Sequence, residues 1–309
     1  MCLHPVHQGG KGRKAILLID ALFLLRPSIL IPCWTIFIIG HFHSGGGYGH
    51  KFFSALLGFT LLMGGVYILN QIFDRESDRI NNKLFLLSLG IFPIWLAVLE
   101  VVLVWGISLY LIRGLSPSFF HFYLLAWALG LLYTTPPIKL KGRPILDLLA
   151  NMVGYGTLAF LLGGLSEKGF TLDLIRWSLP YAFAVGGVFV NTTIVDIAGD
   201  RRTGDRTTAI LLGSENSRYL ALILIGIGLS LALINHDPIA TIAIAISLPL
   251  FVLAIIKRND RYDIISFRLP PFILSLGAGI IFPPYLLFLA VVIVSMRIYY
   301  KRRFNLIFP

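Results

Sequence analysis

Asn70, Asp74 and Asp78 recur at intervals of four, and Asp196 and Asp200 repeat that interval, each aspartate standing 122 positions after its counterpart. Residues four apart share one face of a helix, so each set forms a ladder of oxygen-bearing side chains. Two carboxylates so placed repel unless something positive lies between them. Hard oxygen donors suit Mg²⁺, which keeps several waters and bridges one or two carboxylates to a substrate phosphate. The alternative is a pair of solvated charge runs neutralised locally by Arg75, Arg79, Arg201 and Arg206. Duplication weighs against it: six of the 15 acidic residues, Asp74, Glu76, Asp78, Asp196, Asp200 and Asp205, fall in these two short segments. Each segment abuts an apolar run, and acids beside a membrane are costly enough to point to function.

Between the two motifs runs Tyr133-Thr134-Thr135-Pro136-Pro137-Ile138-Lys139-Leu140-Lys141-Gly142-Arg143. The prolines stop a helix, and the cations Lys139, Lys141 and Arg143 are expected to follow at alternate positions of an extended turn. Such a cluster binds phosphate oxygens that a metal leaves free, and it equally marks a loop kept on the cytoplasmic side. The seven histidines are placed in tails or loops, apart from His121 at the start of a span. With only Cys2 and Cys33 beside them, neither a catalytic triad nor a thiolate metal site is expected.

The elements that must position these groups follow from composition. Of 309 residues, 57% are hydrophobic and 13% charged, and the mean hydropathy is +0.83. No water-facing surface can be assembled from what remains, so the chain is expected to be an integral membrane protein. Its apolar runs are continuous rather than ten-residue alternating strands, which selects an all-α, polytopic helical bundle over a barrel. Spans are expected near residues 16–40, 52–73, 91–112, 119–134, 145–164, 177–195, 218–235, 238–256 and 270–299. Residues 15–25, interrupted by Asp20 and followed by Arg26 and Pro27, read as an interfacial segment rather than a cleaved leader. The repeated aspartate motif, four runs apart, fits a duplicated half.

The net charge of +11 falls in the gaps between apolar runs, where it sets orientation and meets anionic lipid or phosphate, so no nucleic-acid partner is implied. With the N-terminus cytoplasmic, 18 of the 26 Lys and Arg residues share the face of both motifs, against Lys51, Arg113, Lys168 and Arg176 opposite. Arg297, Lys301, Arg302 and Arg303 break the rule, because nine crossings leave them outside. The last run carries Pro283-Pro284, so a broken helix or two short tilted helices are expected to return the tail inside.

With these residues in place, the chain resembles the UbiA superfamily of intramembrane prenyltransferases over nearly its whole length. Asn70, Asp74 and Asp78 match that family's N-D-x-x-D-x-x-x-D motif, while Asp196, Gly199, Asp200 and Gly204 match D-x-x-G-D-x-x-x-G. The stretch from Tyr133 to Lys139 looks like its middle loop. The resemblance implies a nine-helix bundle over residues 16–299, flanked by a cytoplasmic tail at 1–15 and a basic tail at 300–309, holding a prenyl diphosphate under two Mg²⁺ ions. Asp74, Asp78, Asp196 and Asp200 then serve as metal ligands and catalytic residues, with Asn70 completing the first metal's shell. Tyr133, Lys139, Lys141, Arg143 and Arg201 bind substrate and absorb charge on the leaving diphosphate. Tyr67, Phe73, Tyr133, Tyr155 and Phe189 are candidates to line the pocket that shields an allylic cation.

Two departures stand out: Gln71 replaces the family's first aspartate, and Leu84-Phe85 follows Lys83 where Arg-Pro is usual. The expected partners are a prenyl diphosphate, membrane lipid and a lipophilic acceptor, with no protein partner implied. An aromatic, quinone-precursor acceptor is favoured because an electron-rich ring needs no strong base before attack, and no buried base is evident beyond the aspartates. A lipid alcohol or tetrapyrrole is the alternative within the family. A divalent-cation transporter is the alternative outside it, although it calls for acids in mid-span. A CDP-alcohol phosphotransferase calls for a D-G-x-x-A-R-type block that the chain lacks.

Overall fold

The computed structural model describes the backbone of residues 10–80 and 86–306. Among the described residues the regular structure is helical throughout: α1 (Gly10–Leu24), α2 (Pro27–His43), α3 (His50–Phe73), a short α4 (Arg75–Ile80), α5 (Ile94–Ile112) and α6 (Pro117–Thr134). The second half holds α7 (Leu146–Asn151), which passes through a π-helical stretch (Met152–Leu158) into α8 (Ala159–Gly164), then α9 (Leu172–Thr203), α10 (Thr208–Ile234), α11 (Pro238–Lys257), α12 (Asp260–Ile281) and α13 (Pro284–Phe304). Taking Leu146–Gly164 as one unit, eight helices among the described residues are long and apolar enough to cross a bilayer, and the α1–α2 pair raises the number to nine; the 18-residue α6, over the span expected at 119–134, is a further apolar helix between them. The protein is an integral, multi-pass membrane protein.

Capping residues mark several of these starts. Ser116 accepts from the Phe119 N–H ahead of α6, Asp237 accepts from Ile239 and Ala240 ahead of α11, and Asn259 accepts from Tyr262 ahead of α12. Helices in a bilayer gain no hydrophobic drive toward one another and associate by close packing. Backbone contact between α2 and the π–α8 segment illustrates this. A Cβ on Gly163 would lie 1.9 Å from the Phe37 carbonyl oxygen, and one on Gly40 would lie 2.0 Å from that of Phe160. Phe37, Phe52, Phe59, Phe119 and Phe160 fill the centre with no exposed surface beyond 1%.

Two expectations are sharpened, at the first and last runs, and one changes. Run 16–40 is two helices bent by 45°, because Arg26 takes the left-handed conformation (φ 56°) immediately before Pro27. Run 270–299 is likewise two full helices, α12 and α13, separated at Phe282–Pro283. The end of α13 returns to the side of α1: Tyr299 donates to Asp20 Oδ1 at 2.7 Å, Arg303 donates to both Asp20 oxygens at 3.2 and 3.0 Å, and Tyr299 stacks on Phe23 at 3.6 Å. The C-terminal cations therefore share the face of the aspartate motifs, and the conflict with charge bias disappears. Finally, His41 and His43 are not loop residues but close the last turn of α2, with His41 fully buried. The helix extends beyond the hydropathy run because both rings find hydrogen-bond partners at the far rim of the bundle. The departure after Lys83 lies outside the described residues, as do positions 1–9 and 307–309 of the tails.

Candidate active site

The first ladder crosses a helix boundary without losing register. Asp74 caps α3, yet its N–H donates to the Asn70 carbonyl at 2.9 Å and the Asp78 N–H donates to the Asp74 carbonyl at 2.8 Å, so the three side chains keep their four-residue spacing through α4. Asp74 and Asp78 are buried, at 3% and 7% exposure. The second pair stays within α9, which continues through Thr203 and ends on Gly204 in the left-handed conformation (φ 78°) that favours glycine after a helix. Asp196 and Asp200 are half-buried there.

The basic segment joins the two motifs and is not extended. Lys139 adopts φ 39° and Leu140–Gly142 forms a 3-10 turn, so successive lysines diverge. Lys139 Nζ reaches Asp205 Oδ1 at 2.7 Å beside the second motif, and Lys141 Nζ contacts Asp74 Oδ2 in the first. Backbone and side chains zip the loop in place. The Arg206 N–H bonds the Gly142 carbonyl at 3.2 Å. Thr208 donates through both its N–H and its hydroxyl to Asp147 at the start of α7, and its hydroxyl accepts from the Ile145 N–H at 2.8 Å. Arg143 turns back to the Pro137 carbonyl at 3.1 Å, and Arg143 and Arg201 are exposed. Two of the four expected phosphate-binding cations thus sit against the motifs and two stand outside them.

Asp74 Oδ2 accepts from Asn70 Nδ2 at 2.7 Å as well as meeting Lys141, whereas Asp74 Oδ1 is buried with no hydrogen-bond partner. Among the described residues no three acidic, histidine or cysteine side chains converge into a self-sufficient metal site. An orphaned buried carboxylate oxygen, with Asn70 and Asp78 one turn away on the same ladder, fits a cation of the Mg²⁺ kind, one that shares its shell with water and a phosphate ligand. Gln71 takes no part. It is 2% exposed and donates to the carbonyls of Leu24 and Tyr67 at 2.8 and 3.0 Å, so its amide braces the α1–α2 elbow on the side away from the ladder.

Two adjoining chambers lie among the helices, and the smaller reaches the ladder at Asn70. The smaller, about 220 Å³, is lined by Arg26, Asn70, Tyr67, Tyr133, Asn151 and Tyr155, among others. The larger, about 250 Å³, runs between α2, α9, α11 and α12 and shares Ile29, Asn151 and Tyr155 with the first. Asn151 donates to the Tyr133 hydroxyl at 3.0 Å, and the Tyr67 and Tyr155 hydroxyls meet at 2.7 Å. Of the aromatic candidates, Tyr67, Tyr133, Tyr155 and Phe189 line a chamber, while Phe73 is 46% exposed. Sequence reasoning missed Arg26 and Asn151 as site residues. A polar side chain one helical turn after Asp147, inside the apolar run 145–164, was the available signal for Asn151.

The sequence model of the UbiA prenyltransferase family matches residues 29–266. The chain belongs to that family. Among curated UbiA-family relatives, a 2-acylphloroglucinol 4-prenyltransferase of Humulus lupulus is 31% identical over 210 residues, covering 64% of this chain and 48% of the relative. The chain thus spans about half the length of that protein. A probable homogentisate phytyltransferase 2 of Oryza sativa subsp. japonica is 29% identical over 261 residues, covering 80% of this chain and 61% of the relative. Among solved structures, a UbiA homologue from Archaeoglobus fulgidus bound to DMAPP and Mg²⁺ superposes with a TM-score of 0.69 at 19% identity, covering 84% of this chain and 96% of that one. It shares the fold. Helix α13 lies wholly beyond the residues that the family model matches.

Proposed function

We propose that this UbiA-family protein transfers a prenyl group from a prenyl diphosphate to a lipophilic, aromatic acceptor of the quinone-precursor type, with the diphosphate bound at the cytoplasmic rim. The observation that carries this is the buried Asp74 Oδ1 without a partner, in a carboxylate held by Asn70 and Lys141, with Asn70 lining the smaller of two adjoining chambers whose walls are largely apolar. Asp74 and Asp78 from one motif and Asp196 and Asp200 from the other, with Asn70, are the proposed Mg²⁺ ligands. The ion, when bound, offsets charge on the diphosphate as its bond to the prenyl carbon breaks.

The protein's own groups do the rest. Lys141 and Lys139, held against the two motifs, meet the diphosphate oxygens that the carboxylates repel, and Arg26, facing the smaller chamber beside Asn70, adds a third cation. Arg143 and Arg201 serve as rim cations that draw the anion in. Below the rim, the walls exclude water from the prenyl cation, and the ring faces of Tyr67, Tyr133 and Tyr155 stabilise its charge. The larger chamber, walled mainly by aliphatic side chains, suits the prenyl tail. The smaller, with Arg26, Asn70, Tyr133 and Asn151, suits the polar ring of the acceptor. The names of the hop and rice relatives agree with an aromatic acceptor.

A transporter is disfavoured because neither chamber is lined by an acidic residue that would carry a cation inward. Purified protein supplied with Mg²⁺, geranylgeranyl diphosphate and a panel of phenolic acids and lipid alcohols tests the proposal. Prenylated phenolic product that disappears in EDTA is expected. Product with alcohols alone overturns the choice of acceptor, and product formation undiminished in EDTA overturns the role given to Mg²⁺.

A further inference from the structure

The larger chamber has a floor whose construction is separate from the rim. Along α9, Tyr181, Val185, Val188 and Thr192 line it in steps of three or four residues, and the next step of the same stripe is Asp196. The stripe thus leads from a motif aspartate down to Tyr181. Ala240 in the first turn of α11 and Ile36 on α2 close the chamber beside the tyrosine. The tyrosine is held at its hydroxyl and against one neighbouring ring. The hydroxyl donates to Asp237 Oδ2 at 2.7 Å, and the same oxygen meets His43 Nε2 at 3.1 Å. Asp237 is itself immobilised, because its Oδ1 accepts from the N–H groups of Ile239 and Ala240 at 3.0 Å each. Phe160 packs against the tyrosine ring at 5.3 Å between centroids.

We infer that Tyr181, anchored by Asp237 and His43, is the residue that sets the maximum prenyl chain length this protein binds, at about four isoprene units. The inference rests on the proposed placement of the tail in the larger chamber. The fifteen residues from Asp196 to Tyr181 span about 22 Å at 1.5 Å each. An isoprene unit contributes four chain bonds, about 5 Å by scaling from the 3.8 Å that three backbone bonds span. A chain of four units therefore extends from the rim to the ring, and a fifth runs into a side chain that its hydrogen bonds do not allow to swing aside. Val185, one turn nearer the rim, marks a position about one unit shorter.

Affinity for prenyl diphosphates of ten to thirty carbons, read in the presence of Mg²⁺ from the shift in thermal unfolding, tests the floor without requiring turnover or a known acceptor. The wild type should bind twenty carbons at least tenfold more tightly than twenty-five, since even one misfitted methylene costs a hydrophobic pocket about tenfold or more. Tyr181→Ala should move that break to twenty-five carbons or beyond, Val185→Phe should move it down to fifteen, and Tyr181→Phe, which keeps the ring but loses the hydrogen bond to Asp237, should bring twenty-five carbons within tenfold of twenty. A wild type indifferent to length from twenty to thirty carbons overturns the inference. So does an unshifted profile in Tyr181→Ala and Val185→Phe proteins that still bind ten carbons. Length-dependent binding without prenylated product would leave the floor standing and remove the proposed transfer reaction.

Discussion

Replacing Lys141 by methionine isolates the electrostatics of the rim. Asp74 is 3% exposed, and the lysine that meets its Oδ2 is 19% exposed. Removing one partner of a buried ion pair costs about 3 to 5 kcal/mol because a desolvated charge is left behind. Here Asn70 still donates to the same oxygen, and a hydrogen bond to a charged group retains about 1.5 to 3 kcal/mol. The net loss should therefore fall near the lower end, about 2 to 3 kcal/mol, or roughly 5 °C in Tm for a chain of this size. The carboxylate would then be a stronger cation ligand. Both proteins are stabilised by the ion, so cancelling the defect takes a Kd about 100-fold tighter in the variant, worth about 2.7 kcal/mol at saturation. The assay is thermal unfolding of detergent-purified wild type and Lys141→Met in EDTA and in rising Mg²⁺. The variant should melt about 5 °C lower in EDTA and converge on the wild type as Mg²⁺ saturates, whereas an Asp74→Asn protein should show little response to the ion. A deficit of the same size with and without Mg²⁺ would refute the assignment of Asp74 as a metal ligand.

Asp74→Asn and Asp196→Asn should each abolish prenyl transfer while the double variant loses little more, because groups acting as one unit are non-additive. An active Asp196→Asn protein would break the link between the motifs. Cysteines placed at Ser77, Thr203 and Asn305 should all be labelled from the same side of the membrane, and labelling of Asn305 alone from the other side would contradict the return of α13. Asp237 gives a pH signature. Burial raises its pKa, but hydrogen bonding and charge from His43 and the hydrogen bonds from Tyr181 and Ala240 outweigh that and hold it below the usual carboxylate value. A depressed folded-state pKa stabilises above the unfolded value and loses that stability as pH falls through the folded one. The Tm advantage of wild type over Asp237→Asn should accordingly be full near pH 6 and shrink below pH 4, and a constant difference would exclude the mechanism.

Which parts were legible in the sequence follows from how local each signal is. Asn70, Asp74 and Asp78, and Asp196 with Asp200, could be read because a four-residue interval survives whether the backbone is one helix or, as at Asp74, a cap between two. The cations of the middle loop were legible as charge but not as geometry. The 3-10 turn that sends Lys139 to Asp205 and Lys141 to Asp74 depends on Asp147 and Thr208, 61 positions apart, closing the loop from the other side. The run 270–299 was ambiguous because two helices separated at adjacent prolines have the same hydropathy as one interrupted helix. What separates them is the contact of Tyr299 and Arg303 with Asp20, some 280 positions away.

The histidines were misplaced for the same reason. His43 looks like a loop residue until its ring and the Tyr181 hydroxyl, each from a different segment, meet at Asp237 Oδ2. The rim of this bundle was written in short intervals that one stretch of sequence carries, since the proposed metal-diphosphate site draws its ligands from residues spaced along a helix face. The floor of its larger chamber was not, since closing an apolar cavity takes single residues from helices α2, α9 and α11, and no interval along the chain records their meeting. Chemistry should therefore be easier to infer than chain-length selectivity in proteins of this architecture.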